Sequence, residues 1–254
     1  MNTCRHFLLG LFVLGLAGCT ETTMRIDVGA AFTSVNGNVA LQNSAGSLVL
    51  DNVPNNFDRG LGLGDTEASP YVGAEANWGA HRLKTSGFNN KATGAGTLEN
   101  NFGDLPANSA VTTSFDFYDL TTSYTYNLLP TSAVRLGIGV QLGIYWVDLD
   151  VDSLGGFERI NSISVAPMPC LDTELDLGNF SLGASGGGIK LDYGDADMIY
   201  WDVEAHLRVV PIAQTELILG YRYIKLDGNG VADGRDFESD FVVSGLFVGG
   251  GIHF

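Results

Sequence analysis

Apolar and polar residues alternate along most of this chain. In VRLGIGVQLGIYW, Val134, Leu136, Ile138, Val140, Leu142, Ile144 and Trp146 fall on one face of an extended strand. Arg135, Gly137, Gly139, Gln141, Gly143 and Tyr145 fall on the other. YWDVEAHLRVV repeats the pattern, with Trp201, Val203, Ala205, Leu207 and Val209 on one side and Asp202, Glu204, His206 and Arg208 on the other. No helical period of comparable strength follows the first residues. The alternation predicts an all-β chain with strands near 24–35, 67–78, 81–92, 112–128, 133–150, 162–177, 180–192, 198–210, 215–227 and 238–254. The third and the glycine-rich seventh (GASGGGIKL) carry the weakest pattern. Loss of one adjacent pair to loop would leave eight strands.

Four ionisable groups on one strand face do not fit an oily core. A soluble sandwich would turn them outward. A membrane barrel turns them into the lumen and presents the apolar face to lipid. Two features favour the barrel. Aromatic residues gather at the ends of the apolar faces: Trp78, Tyr124, Tyr126, Trp146, Trp201 and Tyr223. Connections also alternate in length. Short turns are expected near Gly79-Ala80, Leu129–Ser132, Gly178-Asn179 and Pro211–Gln214, and long polar links at Asn36–Thr66 and Thr93–Val111 and in most other connections. The strand lengths approach the about 9–11 residues a tilted transmembrane strand needs. The expected fold is a closed antiparallel up-and-down transmembrane β-barrel of about ten strands.

The chain opens with MNTCRHFLLGLFVLGLAGC, a basic start at Arg5, an apolar run Phe7–Leu16 and then small residues. That layout predicts a secretory signal peptide over 1–18 and a barrel over 19–254. The run is shorter than the about 20 residues that span a bilayer as a helix. Leu16-Ala17-Gly18-Cys19 resembles the bacterial lipobox, which would make Cys19 the lipid acceptor. An ordinary signal peptide cut nearby would leave Cys19 incidental. Either reading takes the chain out of the cytoplasm. With Cys4 and Cys19 in the leader, Cys170 stands alone and reads as a small apolar filler.

Composition agrees with this picture. The 254 residues include 34 glycines and only 7 prolines, which suits many short strands and turns. A formal net charge of −16 excludes a phosphate-backbone partner, which requires a basic surface. It fits a solvated acidic exterior.

The last stretch, SGLFVGGGIHF, places Phe254, Ile252, Val248 and Leu246 on one face, interrupted only by Gly250. It resembles the C-terminal signature of bacterial outer-membrane β-barrel proteins, in which a terminal Phe closes the last strand. As architecture the resemblance covers the whole mature chain, and its specific motifs are the last strand and the leader. It is most similar to the small barrels of the outer-membrane-protein-A or opacity-protein type. The resemblance implies a bacterial outer-membrane location with both termini in the periplasm. It also implies contact with outer-membrane lipid and lipopolysaccharide, and recognition of the Phe254 strand by the barrel-assembly machinery. It names no surface ligand.

The inward faces assemble candidate chemistry. Basic members are Arg25, Arg82, Lys84, Arg135, Arg208 and Arg222. Acidic members are Asp27, Glu75, Asp119, Asp172, Glu174, Asp176, Asp202, Glu204 and Glu216, with His206 among them. In so narrow a barrel side chains can fill the interior. The leading expectation is a charge network that plugs the lumen of a structural or surface-interaction protein. The alternatives are a narrow porin-like channel for small solutes, and a lipid- or peptide-processing enzyme. Barrel proteases of the omptin kind require a carboxylate pair and an Asp–His pair at the outer rim, and lipid A deacylases a His and a Ser there. His81 and His253 fall at the opposite end, and His206 has no evident nucleophile partner. No G-x-S-x-G, P-loop or HExxH occurs. The expectation is therefore no catalysis and no cofactor. Asp148, Asp150 and Asp152 share one face of DLDVDS, and Asp227, Asn229, Asp233 and Asp236 share DGNGVADGRD. Calcium wants several hard oxygens, but the EF-hand order fails at Val231 and at the missing terminal Glu, so these read as a solvated acidic rim with no metal.

Overall fold

A computed structural model describes residues 22–44, 54–129, 133–193, 196–232 and 234–254. The leader, Cys19 and Asp233 lie outside them. Eleven strands follow in order: β1 (Thr22–Leu41), β2 (Asn55–Asn56), β3 (Glu67–Trp78), β4 (His81–Thr97), β5 (Ala110–Asn127), β6 (Val134–Ser153), β7 (Gly156–Asp176), β8 (Phe180–Tyr193), β9 (Ala196–Ile212), β10 (Thr215–Ala232) and β11 (Arg235–His253). Each strand pairs antiparallel with its neighbour, and β11 returns to pair with β1. The two-residue β2 only borders β1, so the ring holds ten strands and the eight-strand alternative falls.

The closing ladder is continuous, from Arg25 opposite His253 to Leu41 opposite Phe237. Beyond it, Met24 and Phe254 exchange two backbone hydrogen bonds, of 2.8 and 3.0 Å. Closing the ring removes the two outermost sheet edges, as strands in hydrocarbon require. Both described ends of the chain share one end of the barrel with the short turns, hereafter the terminus end. Gly79 (φ 58°) and Gly178 (φ 86°) make two of those turns in a left-handed conformation that glycine adopts without strain.

At the opposite, loop end the structure corrects the sequence reading. Asn36–Thr66 and Thr93–Val111 are shorter as loops than expected, because β1 runs on to Leu41, β4 to Thr97, and β5 starts at Ala110. The expected links at 151–161 and 228–237 are mostly strand. β6 and β7 pair up to Ser153 opposite Gly156, and β10 and β11 up to Ala232 opposite Arg235. Near the terminus end, β9 likewise continues through Pro211 to Ile212. The reason is an inversion of faces. Over the middle of the barrel apolar residues point outward: Val140 is 63 % exposed and Ile163 61 %. Past Trp146 the outward positions become Asp148, Asp150 and Asp152, while Leu149 and Val151 turn inward and are buried.

The loop half of the lumen is therefore an apolar core. Phe115, Phe117, Tyr145, Leu149, Phe241 and Val243 come from the strands, and Phe57, Leu61, Leu63, Phe102 and Leu105 from the two long connections. Phe57 meets Phe115 edge-on at 5.4 Å, and Phe115 meets Phe241 edge-on at 6.0 Å. Polar ties hold the connections down. Asn55 Oδ1 accepts the backbone N–H groups of Glu99 and Asn100, and Gly103 N–H donates to Leu41 O at 3.0 Å. The Ser44 N–H and hydroxyl both donate to Asp104, in that order of effect holding its carboxyl below the usual carboxylate range.

Truncating a core ring should therefore matter more than truncating an outward side chain. Phe117→Ala should cost about 3–5 kcal/mol in reversible urea unfolding from lipid vesicles. Val248→Ala, on the outward face, should cost no more than about 1 kcal/mol.

Candidate functional site

The inward positions nearer the terminus end carry most of the buried charges among the described residues; Glu158, paired with Arg235 at 2.6 Å, is buried at the loop end. Register sets several side by side: Arg25 opposite Glu75, Glu75 opposite Lys84, Arg135 opposite Glu174, and Arg222 opposite Glu204. Other pairs join strands that are not neighbours, and one of them also ties adjacent β9 to β10. Lys84 of β4 donates to Glu204 of β9 at 2.6 Å. Arg208 of β9 meets Asp27 of β1 at 3.0 Å and Glu216 of β10 at 2.7 Å.

Three tiers result. Nearest the terminus end, Arg82 contacts Asp172 (3.0 Å), Glu75 (3.4 Å) and Glu174. Arg135 donates to the same Asp172 at 3.0 Å, and Arg25 bridges Glu75 (3.1 Å), Glu174 (3.5 Å) and Glu216 (3.7 Å). A polar cup of about 220 Å³, lined by Arg25, Asn77, Arg82, Arg135 and Glu174, opens at this end. In the middle tier His206 Nδ1 lies 3.2 Å from Glu204, and its ring occupies the space that a side chain at Gly183 would take.

In the third tier Arg222 grips Asp202 with two nitrogens, at 3.0 and 2.8 Å, and meets Asp119 at 2.8 Å. It also donates to Ser86 Oγ (3.1 Å) and Thr121 Oγ1 (2.7 Å), and its guanidinium lies 5.6 Å from the Phe88 ring centroid. Gln141 Nε2 completes Asp202 at 2.9 Å. Between the second and third tiers the void is about 20 Å³, room for one water. Directly toward the loop end stand Tyr145 and Phe117, whose rings stack at 6.2 Å.

The structure brings these charges together in the lumen, with Asp176 only at the open rim of the polar cup that Arg25, Arg82 and Arg135 line. Asp176 is exposed at the mouth of the β7–β8 turn, where Oδ1 accepts the Gly178 N–H at 2.8 Å. Its in-phase position is the last of its strand, beyond the walls that would enclose it. Ser86, Thr121, Gln141 and Tyr145 are additional members. Their inward phase in the alternation was the available signal, but uncharged residues in phase do not announce partners across the lumen.

The other candidates are surface features. Trp78, His81, Tyr124 and Tyr126 cluster at the terminus end, with His81 stacked on Trp78 at 5.8 Å and its Nδ1 2.7 Å from the Tyr124 hydroxyl. Trp146, Trp201 and Tyr223 face outward toward the loop half, and Leu246, Val248, Ile252 and Phe254 outward along β11. At the loop end Arg159 takes both Asp148 (2.7 Å) and Asp150 (3.0 Å), and Lys225 takes Asp227 (3.2 Å) and Asp240 (3.1 Å). Asp236 donates its backbone N–H to Gln42 Oε1 at 3.3 Å. No group of three or more His, Cys, Asp or Glu arranged for a metal occurs among the described residues.

An outward apolar band, a closed ring and a polar inner face define the class: this is the fold of a bacterial outer-membrane β-barrel. Solved structures agree. The chain is similar to the outer membrane protease OmpT from Escherichia coli, with a TM-score of 0.50 at 11 % identity, over 91 % of this chain and 97 % of that one. Weaker likenesses are to Ail, the attachment invasion locus protein of Yersinia pestis (TM-score 0.40, 13 % identity, 92 % and 99 % covered), and to Neisserial surface protein A (TM-score 0.40, 14 %, 91 % and 97 %). At these identities the likeness concerns the fold alone. No protein-family model and no curated protein matches the chain.

Removing one partner from the third tier strands buried charge. Arg222→Ala should destabilise the barrel by about 3–5 kcal/mol in urea unfolding. Adding Asp119→Asn and Asp202→Asn to that variant should recover most of the loss, because the uncompensated carboxylates are gone.

Proposed function

We propose that the protein is an integral outer-membrane barrel closed to aqueous solutes, with both termini in the periplasm. It serves a structural or surface-interaction role through its loop end. The carrying observation is the doubly filled lumen. Ion pairs close its terminus half down to a void of about 20 Å³, and packed rings from Phe57, Phe115, Phe117 and Phe241 obstruct its loop half, leaving an apolar cavity of about 370 Å³ to one side. A hydrated ion would have to displace both fillings. The polar cup at the terminus end is a recess ending on Arg82 and Arg135.

The loop end offers what a surface role needs. Its exterior carries charged pairs of Arg159 and Lys225 with acidic neighbours, and the core beneath holds Phe57, Leu61 and Leu63 of one connection and Phe102 and Leu105 of another. Among the described residues no histidine stands there, and His206 lies buried deep in the lumen beside Glu204. Phe254 fits the assembly role implied by the C-terminal signature, since its backbone also completes the closing ladder.

Planar bilayers containing the purified barrel should show no steady conductance. A stable open level from the unmodified protein would establish the pore instead. Deleting Phe254 should lower the yield of folded, heat-modifiable barrel in the outer membrane well beyond the effect of Ile252→Ala. Equal yields would remove Phe254 from assembly.

A further inference from the structure

Two ladders in the ring stop short. β3 and β4 pair only from Trp78 opposite His81 to Tyr71 opposite Phe88, and past it the backbone of Gly62 and Gly60 lies against Gly94 and Gly96 of β4. β7 and β8 pair only from Asp176 opposite Ser181 to Cys170 opposite Gly187. Their outer neighbours stay paired much further, β6 with β7 to Ser153 opposite Gly156 and β8 with β9 to Tyr193 opposite Ala196. A split therefore opens between β7 and β8 above Cys170.

Two prolines account for where it begins. The Asp176 N–H donates toward β6, to Ala133 O at 2.8 Å, and the Leu177 N–H toward β8, to Phe180 O at 2.8 Å. β7 keeps unbroken register with β6, so even-numbered N–H groups point to β6 and odd-numbered ones to β8. Pro167 and Pro169 are odd. They remove donors on the β8 side alone, and Pro169 stands one residue past the last paired position. Across the split Gly188 contributes no side chain, and the Trp201 indole lies over it, 2.5 Å from where a Cβ would sit.

The split faces hydrocarbon. Outward Ile163, Val165 and Leu171 flank it on β7, and Ile163 is level with Trp146, where the apolar band ends. Open strand edges are costly there unless protein or the water of a cavity meets their backbone groups. A cavity exists here, of about 370 Å³. Inward Ser162 and Ser164 line it, and so do outward Ile163 and Val165. Both faces of one strand can border the same space only around that strand's free edge. Leu191 of β8 lines the far side, and Ile160, Tyr200 and Phe241 the depth. Among the described residues no lysine or arginine lines it, and the one carboxylate, Asp227, is held by Lys225 at 3.2 Å.

We propose that this cavity binds a neutral apolar molecule of the hydrocarbon class and exchanges it with the bilayer through the β7–β8 split. Its volume is in the range of small-ligand sites. The lack of a lining cation among the described residues selects against fatty-acid carboxylates and phosphate headgroups, which need a charged partner when desolvated.

The test uses the full barrel in lipid nanodiscs and the neutral fluorophore N-phenyl-1-naphthylamine, with empty nanodiscs subtracted. Wild type should show a saturable component that the anionic analogue 8-anilinonaphthalene-1-sulfonate does not displace. Ser164→Trp and, independently, Ser162→Leu fill the cavity from two positions and should weaken that component by about tenfold or more, with folding checked by heat-modifiable migration. Pro167→Thr with Pro169→Thr returns the two donors and should slow probe release by about tenfold while changing affinity little. Absence of a saturable component, wild-type affinity in a folded filled variant, or displacement by the anion overturns the site. Wild-type release from the proline variant overturns the lateral route.

Discussion

Closing a sheet on itself removes its two outermost edges but creates an interior, and what fills that interior governs the rest of this molecule. With ten strands the lumen is too wide to vanish and narrow enough for side chains to meet across it. The chain fills it with two chemistries, chosen by what lies outside each level. Where lipid is outside, alternation sends apolar residues outward, and the inward set is polar by default. Arginines and carboxylates from different strands then neutralise one another, with hydroxyls and Gln141 taking remaining valences. Where water is outside, the same alternation runs with its sign reversed, and rings and aliphatic chains pack inward as in a soluble barrel.

Each filling has a different mechanical meaning. The ion pairs give little net stability relative to an apolar filling, but they are intolerant of losing a member, so they fix the relative positions of β1, β4, β5, β7, β9 and β10. The apolar core anchors the described parts of the two long connections, which gives the loop end a defined surface. Together they obstruct the axial path. The β7–β8 split differs from the short β3–β4 ladder, where the backbone of Gly60 and Gly62 lies against the β4 edge, and it leads sideways into the apolar storey.

Much of this was readable in the residues. The alternation in 133–150 and 198–210 marks its strands and faces, and SGLFVGGGIHF marks the closing strand. What was missed has a common cause. Asp148, Asp150 and Asp152 look like loop because their outward face is polar, yet Val147, Leu149 and Val151 continue the same period with the faces exchanged. A period read for one sign of alternation stops at the band edge, and so links became hairpins. The inward charges were legible as a set, but not as pairs: which arginine meets which carboxylate depends on how far each strand is staggered around the ring. Asp176 shows the limit, in phase with the network and only at its open rim. Pro167 and Pro169 gain meaning only once the direction of each N–H along β7 is known.

The central claim is a lumen filled at both levels, and solvent access to its middle tests it most directly. In a barrel refolded from residues 20–254 with Cys170→Ser, a single cysteine introduced as Thr121→Cys lies between the charged and apolar fillings, beside Arg222. The rate of its modification by a small water-soluble thiol reagent, added to the folded barrel from either side, can be compared with that of Asp148→Cys on the outer collar. The account predicts a rate lower by about a hundredfold or more, set by opening of the structure. Equal rates would mean that water runs through the barrel, and would contradict it.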